Sequence, residues 1–196
     1  KGDVNLEPIF NIATTISPYI KPNAPVVVSS QVPLGTCETI EQMILKLNPK
    51  WRSGVAYVPE NLKLGQAVER FLKPDMIVIG ADSPIVLASV LKLYRPFRTK
   101  KVTTTLRTAE LFKHSLNTFL AMSISFINEI AHLADRLGAD GLAVGNFLKL
   151  DSRIGSKALL RPGLGYAGGT LARDVTQLRK FSQELLAVPH HKVYLL

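Results

Sequence analysis

From about Thr104 to Leu137 the chain contains neither glycine nor proline. Across that stretch Phe112, Leu116, Phe119, Ile127, Ile130 and Leu133 belong to an apolar set recurring at threes and fours. That is the period of a helix of roughly nine turns at about 3.6 residues per turn. A single small core cannot cover so long a helix. It therefore bridges domains or forms a subunit interface. Gly138 stands where a left-handed terminating residue belongs.

Upstream the pattern is different. Residues 5–20 have helical spacing that Pro22 ends, and residues 25–30 read as a short β-branched buried strand. Helical spacing returns at 36–47, a strand at 54–58, a short helix at 66–72, a strand at 75–80 and a helix from Pro84 to Leu93. Strands alternating with helices at this interval predict a parallel α/β sheet. About three strands leave the helices poorly covered. The chain is therefore expected to have lost an N-terminal portion, or to need a partner to complete the sheet. Downstream, 140–149 reads as a short helix, 150–170 as a glycine-rich loop and 171–187 as a helix, with a possible strand at 192–196. The layout divides into residues 1–103, part of an α/β domain, and 104–196, a mostly helical domain led by the long helix.

Composition narrows the partners. With 46% hydrophobic and 20% charged residues the chain is ordinary for a globular protein. No window reaches the roughly 18 apolar residues of a membrane span. No apolar stretch of a signal peptide follows Lys1-Gly2-Asp3-Val4-Asn5. One cysteine, Cys37, excludes an internal disulfide framework. It fits a reducing compartment, and a cytoplasmic protein is expected. It reads as an inert buried thiol. No metal is expected. The net charge of +9 suits either nucleic acid or small phosphorylated ligands. The densest basic cluster, Lys92, Arg95, Arg98, Lys100 and Lys101, lacks interleaved aromatics and matches no zinc-finger or basic-zipper pattern. It reads as a solvated basic turn, and nucleic acid is disfavoured.

Gly163-Leu164-Gly165-Tyr166-Ala167-Gly168 fits the dinucleotide pattern G-x-G-x-x-G, but Lys157-Ala158-Leu159-Leu160 is a weak strand to precede it. A longer match explains this loop better. Arg161-Pro162-Gly163-Leu164-Gly165-Tyr166-Ala167-Gly168-Gly169-Thr170-Leu171-Ala172-Arg173-Asp174 resembles the catalytic loop of the UDP-glucose/GDP-mannose dehydrogenase family, which ends in a Gly-Gly-Ser-Cys-Phe-Pro-Lys-Asp type sequence. Four further blocks resemble that family in the same order. They are Ser30-Gln31-Val32-Pro33-Leu34-Gly35-Thr36, the stretch from Pro59 to Ala67, the start of the long helix from Arg107 to Ala121, and Asp151-Ser152-Arg153-Ile154-Gly155.

The resemblance implies the C-terminal part of a Rossmann-like parallel sheet followed by a helical dimerisation domain, and a homodimer through the helix over 104–137. It implies oxidation of the C6 alcohol of a nucleotide sugar to a carboxylate with two NAD per turnover. The family's N-terminal glycine-rich unit is missing here, so weak or absent NAD binding is expected of these residues alone.

Lys113 and Asn117 lie four apart, hence on one helix face. The resemblance implies that they stabilise an oxyanion, work suited to an ammonium and an amide donor. It implies that Glu60 is a general base, that Asp174 orients water and that Arg153 reaches the substrate's nucleotide portion. Leu62, Tyr166 and Gly168 are expected beside the substrate, and Gln31 and Leu64 beside the cofactor. The departures fall on chemistry. Thr170 stands where the family has its nucleophilic cysteine, Gln31 replaces a threonine, and Leu64 replaces a glutamate. A thiolate adds to an aldehyde, whereas a β-branched hydroxyl stays protonated near neutral pH. The resemblance thus leaves two outcomes open: a dehydrogenase with altered chemistry, or a non-catalytic relative that still dimerises.

Overall fold

The computed structural model describes residues 4–62, 65–166 and 169–186. They form two compact units, one running Val4–Lys113 and the other beginning at His114. The strand expected at 192–196 lies outside the described residues.

In the first unit, α1 (Glu7–Ile16) passes into one tight 3-10 turn, Ser17–Tyr19. Asn48 receives that turn. Its side-chain amide donates to the carbonyls of Ser17 at 2.9 Å and Ile20 at 3.1 Å. Four strands follow: β1 (Val26–Val28), β2 (Val55–Tyr57), β3 (Met76–Gly80) and β4 (Lys100–Thr104). Helices α2 (Thr36–Leu47), α3 (Ala67–Leu72) and α4 (Pro84–Leu93) separate them. Alternation along the strands sorts the core onto two sheet faces, as a period of two requires. Val55, Tyr57 and Val78 point to one face with Trp51 and the buried side of α2, while Ala56, Ile77 and Ile79 point to the other with Val86 and Val90 of α4.

The sheet order is β1-β2-β3-β4, with β1 parallel to β2 and β3 parallel to β4. The expectation of a wholly parallel sheet is corrected at the centre, where β2 and β3 pair antiparallel through Tyr57 and Gly80. The connections give the reason. A parallel neighbour needs a crossover helix lying on the sheet, and an antiparallel one does not. α2 buries Cys37, Ile40 and Ile44, and α4 buries Val86 and Val90, so both serve as crossovers. α3 buries nothing.

β4 is a second correction. Lys100 and Lys101, expected in a solvated basic turn, belong to this strand, and the helix starts after it. Lys101 turns its ammonium back to the Phe97 carbonyl. β4 ends the strand order, and lysine suits such a position because it discourages pairing with another chain.

α5 spans Leu106–Leu137, 32 residues and so about 48 Å at 1.5 Å per residue. Its start is held by Asp82, whose carboxylate accepts from Leu106 N–H at 3.1 Å. At Gly80 a Cβ would come within 2.5 Å of Ala109 Cβ and 2.8 Å of the Thr105 carbonyl, so glycine lets β3 meet this helix. Gly138 takes the left-handed conformation expected of it, φ 70°.

In the second unit, α6 (Gly141–Leu148) is capped by Asp140, which accepts from Leu142 and Ala143 N–H groups at 2.9 and 3.0 Å. α7 (Gly169–Leu186) follows a long loop. Among the described residues no helix is long and apolar enough to cross a membrane.

Gly145 of α6 lies against the Leu160 carbonyl, which an added Cβ would overlap. Gly145→Ala is therefore expected to destabilise the chain by about 1–3 kcal/mol through overpacking. Urea denaturation measures this, and an unchanged midpoint would contradict the close approach.

Candidate active site

The loop leaving β2 carries Pro59, buried, then Glu60, Asn61 and Leu62, all exposed. Its anchor is Lys113. This lysine is 6% exposed. Its ammonium donates to the Glu60 backbone carbonyl at 2.6 Å and to Asn61 Oδ1 at 3.0 Å. Burying an ammonium is costly unless hydrogen bonds replace its water, and these oxygens supply part of that replacement. The Glu60 carboxylate turns to the Leu62 N–H at 2.9 Å, which shapes the loop. Lys113, Glu60 and Leu62 are thus brought together, with the glutamate meeting the lysine through its backbone and not its acid group.

Asn117 follows Lys113 by four residues on α5 and is also 6% exposed. Its amide donates to Asp174 Oδ2 at 2.5 Å. The other oxygen of Asp174 lies 2.8 Å from Nδ1 of His114. Asp174 is fully buried and His114 is 1% exposed. Asp174 comes from α7, 57 residues beyond Asn117 in sequence. Its carboxylate closes the second turn of that helix against the polar face of α5. Thr170 lies on α7 one turn before Asp174 and is exposed. Tyr166 is half-buried. Gly168 and Leu64 lie outside the described residues.

The glycine loop is not a dinucleotide fingerprint by context. No strand leads into it among the described residues. Gly163 N–H is held by the Asn128 side chain at 2.9 Å. A Cβ at Gly163, Gly165 or Gly169 would meet nothing within 4 Å, so crowding by the described chain is not what calls for glycine there.

Arg153 is exposed, and Asp151 clasps it. Nε and Nη2 donate to the two carboxylate oxygens at 3.0 and 2.7 Å. The Arg153 backbone N–H reaches the same carboxylate at 2.9 Å. These bonds hold the Asp151 carboxyl below the usual carboxylate range.

Two buried acids and bases escape a reading of the sequence. His114 is one. Glu110 is the other: with no exposed surface, it accepts from Gly35 N–H at 2.6 Å and Cys37 N–H at 3.0 Å. It caps α2 from α5, using the attraction of a helix N-terminus for negative charge. The local sign was a set of polar residues, Glu110, Lys113, His114 and Asn117, at the three- and four-residue spacing that puts them on one face of the helix. Glu110 also limits what the region offers NAD. The amide end of α2 is occupied by a carboxylate and is no pyrophosphate cradle. The turn after β1, where Gln31 is expected beside the cofactor, has that residue half-buried next to the buried Val32, with Gly35 at φ 82°.

Solved structures of this shape are dehydrogenases. A UDP-glucose dehydrogenase from Pyrobaculum islandicum is similar with a TM-score of 0.88 and 36% identity, over 94% of this chain and 43% of that one. A UDP-D-ManNAc dehydrogenase from Pyrococcus horikoshii follows with a TM-score of 0.82 and 25% identity, over 99% and 45%. The fold is thus one this chain shares with dehydrogenases.

The chain belongs to the UDP-glucose/GDP-mannose dehydrogenase family. The family's NAD binding domain matches residues 1–98 and its central domain residues 107–191. Among curated relatives, the UDP-glucose 6-dehydrogenase of Rhizobium meliloti is 39% identical over 188 residues, 93% of this chain and 43% of its own length. YwqF, a UDP-glucose 6-dehydrogenase of Bacillus subtilis, is 38% identical over 90% of this chain and 40% of its own. The chain therefore spans about two fifths of the length of these relatives.

Cys37 has no exposed surface. Burial, and then the neighbouring Glu110 carboxylate, push its thiol well up from the ordinary value. It is expected to resist a chromogenic disulfide reagent at mildly alkaline pH and to react fully once the chain is unfolded in urea. Stoichiometric labelling of the native chain would contradict this.

Proposed function

We propose that this chain is the central part of an NAD-dependent nucleotide-sugar 6-dehydrogenase whose acid-forming half-reaction is impaired. The observation that carries the reading is the burial of Lys113 and Asn117, one turn apart on one helix, each in hydrogen bonds that fix its direction. Buried, preset donors of this kind stabilise charge developing on a reacting oxygen, because they need no reorganisation as it forms. In this reading the oxygen belongs to C6 of the sugar. Lys113 and Asn117 face it as the alcohol loses its proton, and Arg153 takes the nucleotide's phosphates. NAD, when bound, accepts the hydride, with Gln31 and Leu64 among the residues beside it. Glu60 supplies the base, and Asp174 acts through Asn117.

Thr170 separates the two halves of the reaction. Alcohol oxidation to the aldehyde asks nothing of a nucleophile. Taking the aldehyde to the acid through a covalent acyl intermediate does, and a threonine hydroxyl serves poorly without an adjacent strong base. The complete protein is therefore expected to release about one hydride per UDP-glucose consumed and to make little uronate. Thr170→Cys is expected to raise uronate formation at least about tenfold, the scale of a well-placed nucleophile. NADH absorbance and chromatography of the sugar products read both quantities. Two hydrides per sugar with Thr170 in place would sink the impairment.

A second copy of the chain is the partner this reading favours. Phe119, Met122, Phe126, Ile130, Leu133 and Leu137 follow one another at threes and fours along α5 and are exposed or half-buried. An apolar stripe of that length on a surface is a protein-binding feature. Sedimentation is expected to give a dimer that Leu133→Glu with Leu137→Glu converts to monomer. A wild-type monomer at micromolar concentration would count against it.

A further inference from the structure

β1 and β2 are parallel neighbours, so the loops that leave them emerge at the same edge of the sheet. Ligands of such sheets bind outside the carboxyl ends of the strands, which is that edge. At their bases the two loops are tied to each other. The Ser29 hydroxyl donates to the Val58 carbonyl, and the Val58 N–H to the Val28 carbonyl, each at 2.9 Å. Further out, each loop is tied to α5. Lys113 holds the loop after β2 through Glu60 and Asn61. Glu110, one turn earlier on the same helix, holds the end of the turn after β1 through the N–H groups of Gly35 and Cys37.

The residue at the N-cap of α2 is Gly35, which has no side chain to cap with, and the Thr36 hydroxyl turns to the Pro33 carbonyl at 2.7 Å. The Gly35 and Cys37 amides are served instead from 75 and 73 residues away. A buried N–H that loses its acceptor is costly, so the place of the turn follows the place of Glu110. We propose that Glu110 is a positioning residue for the cofactor side of the site. Glu110 and Lys113 are separated by about 4.5 Å along the helix axis, three residues at 1.5 Å each. Holding the turn to the first therefore sets where it stands against the second. The purpose of Glu110 rests on the dehydrogenase reading, in which Gln31 of that turn lies beside NAD and Lys113 meets the oxygen at C6.

Glu110→Gln keeps the length and bulk of the side chain but leaves one accepting oxygen. An NH2 then faces one of the two backbone N–H groups, donor against donor. The end of the turn loosens while the loop bases stay tied. A shift of about 1 Å in a bound reactant can lower a rate about a hundredfold, so a loosened turn is expected to act on the cofactor and to spare the binding of the sugar.

The test has two arms, both on the complete protein. Hydrogen exchange read by mass spectrometry compares wild type with Glu110→Gln. The peptide holding Gly35 and Cys37 is expected to exchange about tenfold faster in the variant. The peptide holding Val58, tied at the loop base, is expected to keep its rate. Unchanged exchange at Gly35 and Cys37 overturns the proposal, and so does an equal gain at Val58, which marks general loosening. In kinetics of hydride release, kcat/KM for NAD is expected to fall about tenfold or more, with the KM for UDP-glucose changed by less than about twofold. A KM for UDP-glucose that rises in step, or a kcat/KM for NAD that holds, overturns it too. If Glu110→Gln does not fold, Glu110→Asp, one methylene shorter, takes its place with the same expectations. A wild-type protein that releases no hydride sinks the dehydrogenase reading, and with it the purpose given to Glu110. Unchanged exchange in a protein that does release hydride sinks the role of Glu110 alone.

Discussion

Four buried polar side chains occupy eight residues of α5, and their needs organise much of the described chain. Glu110, Lys113, His114 and Asn117 cannot reach water, so each must find a partner inside the protein. In the first unit Glu110 takes the amide end of α2, and Lys113 takes the loop after β2. In the second unit His114 and Asn117 each meet one carboxylate oxygen of Asp174. A buried donor or acceptor left without its partner costs about 1–3 kcal/mol. The segments that answer these four residues are thereby held to the helix more firmly than apolar contact alone would hold them. They are also the segments in which family resemblance concentrates: the turn after β1, the Pro59–Leu62 loop and the start of α7.

The helix that carries Asp174 also carries Thr170. Thr170 is exposed in the first turn of α7, whereas Asp174, one turn later, is sealed in the interior. The carboxylate that anchors the helix thus lies one turn beyond residue 170.

Much of this was legible from residue order, for reasons that differ by element. α2, α4 and α5 showed themselves because each repeats apolar residues at helical spacing, which α2 and α4 bury. β4 did not, because Lys100, Lys101 and Thr103 make an edge strand look like solvated chain. The antiparallel centre was hidden by α3. Its Val68, Phe71 and Leu72 imitate a buried crossover helix, yet all three are exposed. At the site, Lys113, Asn117 and Asp174 could be picked out from the spacing of recognisable blocks. Glu110 and His114 could not. A glutamate or histidine within a helix reads as a solvated residue until its partner is known, and those partners lie 75 and 60 residues away. The fate of a polar side chain is settled by what arrives from a distance, and local sequence does not carry that.

The clasp between Arg153 and Asp151 bears on selectivity. An arginine already in a two-point bond with a carboxylate does not meet an anion as an empty site would. Any phosphate it takes must displace an internal rival that is always present at very high effective concentration. Recognition becomes an exchange, and the ligand gains only the difference between two salt links. A singly charged anion that bonds no better than a carboxylate gains almost nothing from the exchange. A group with more charge and more acceptor oxygens gains more. An arginine so paired is weighted toward anions of higher charge than the carboxylate it already holds.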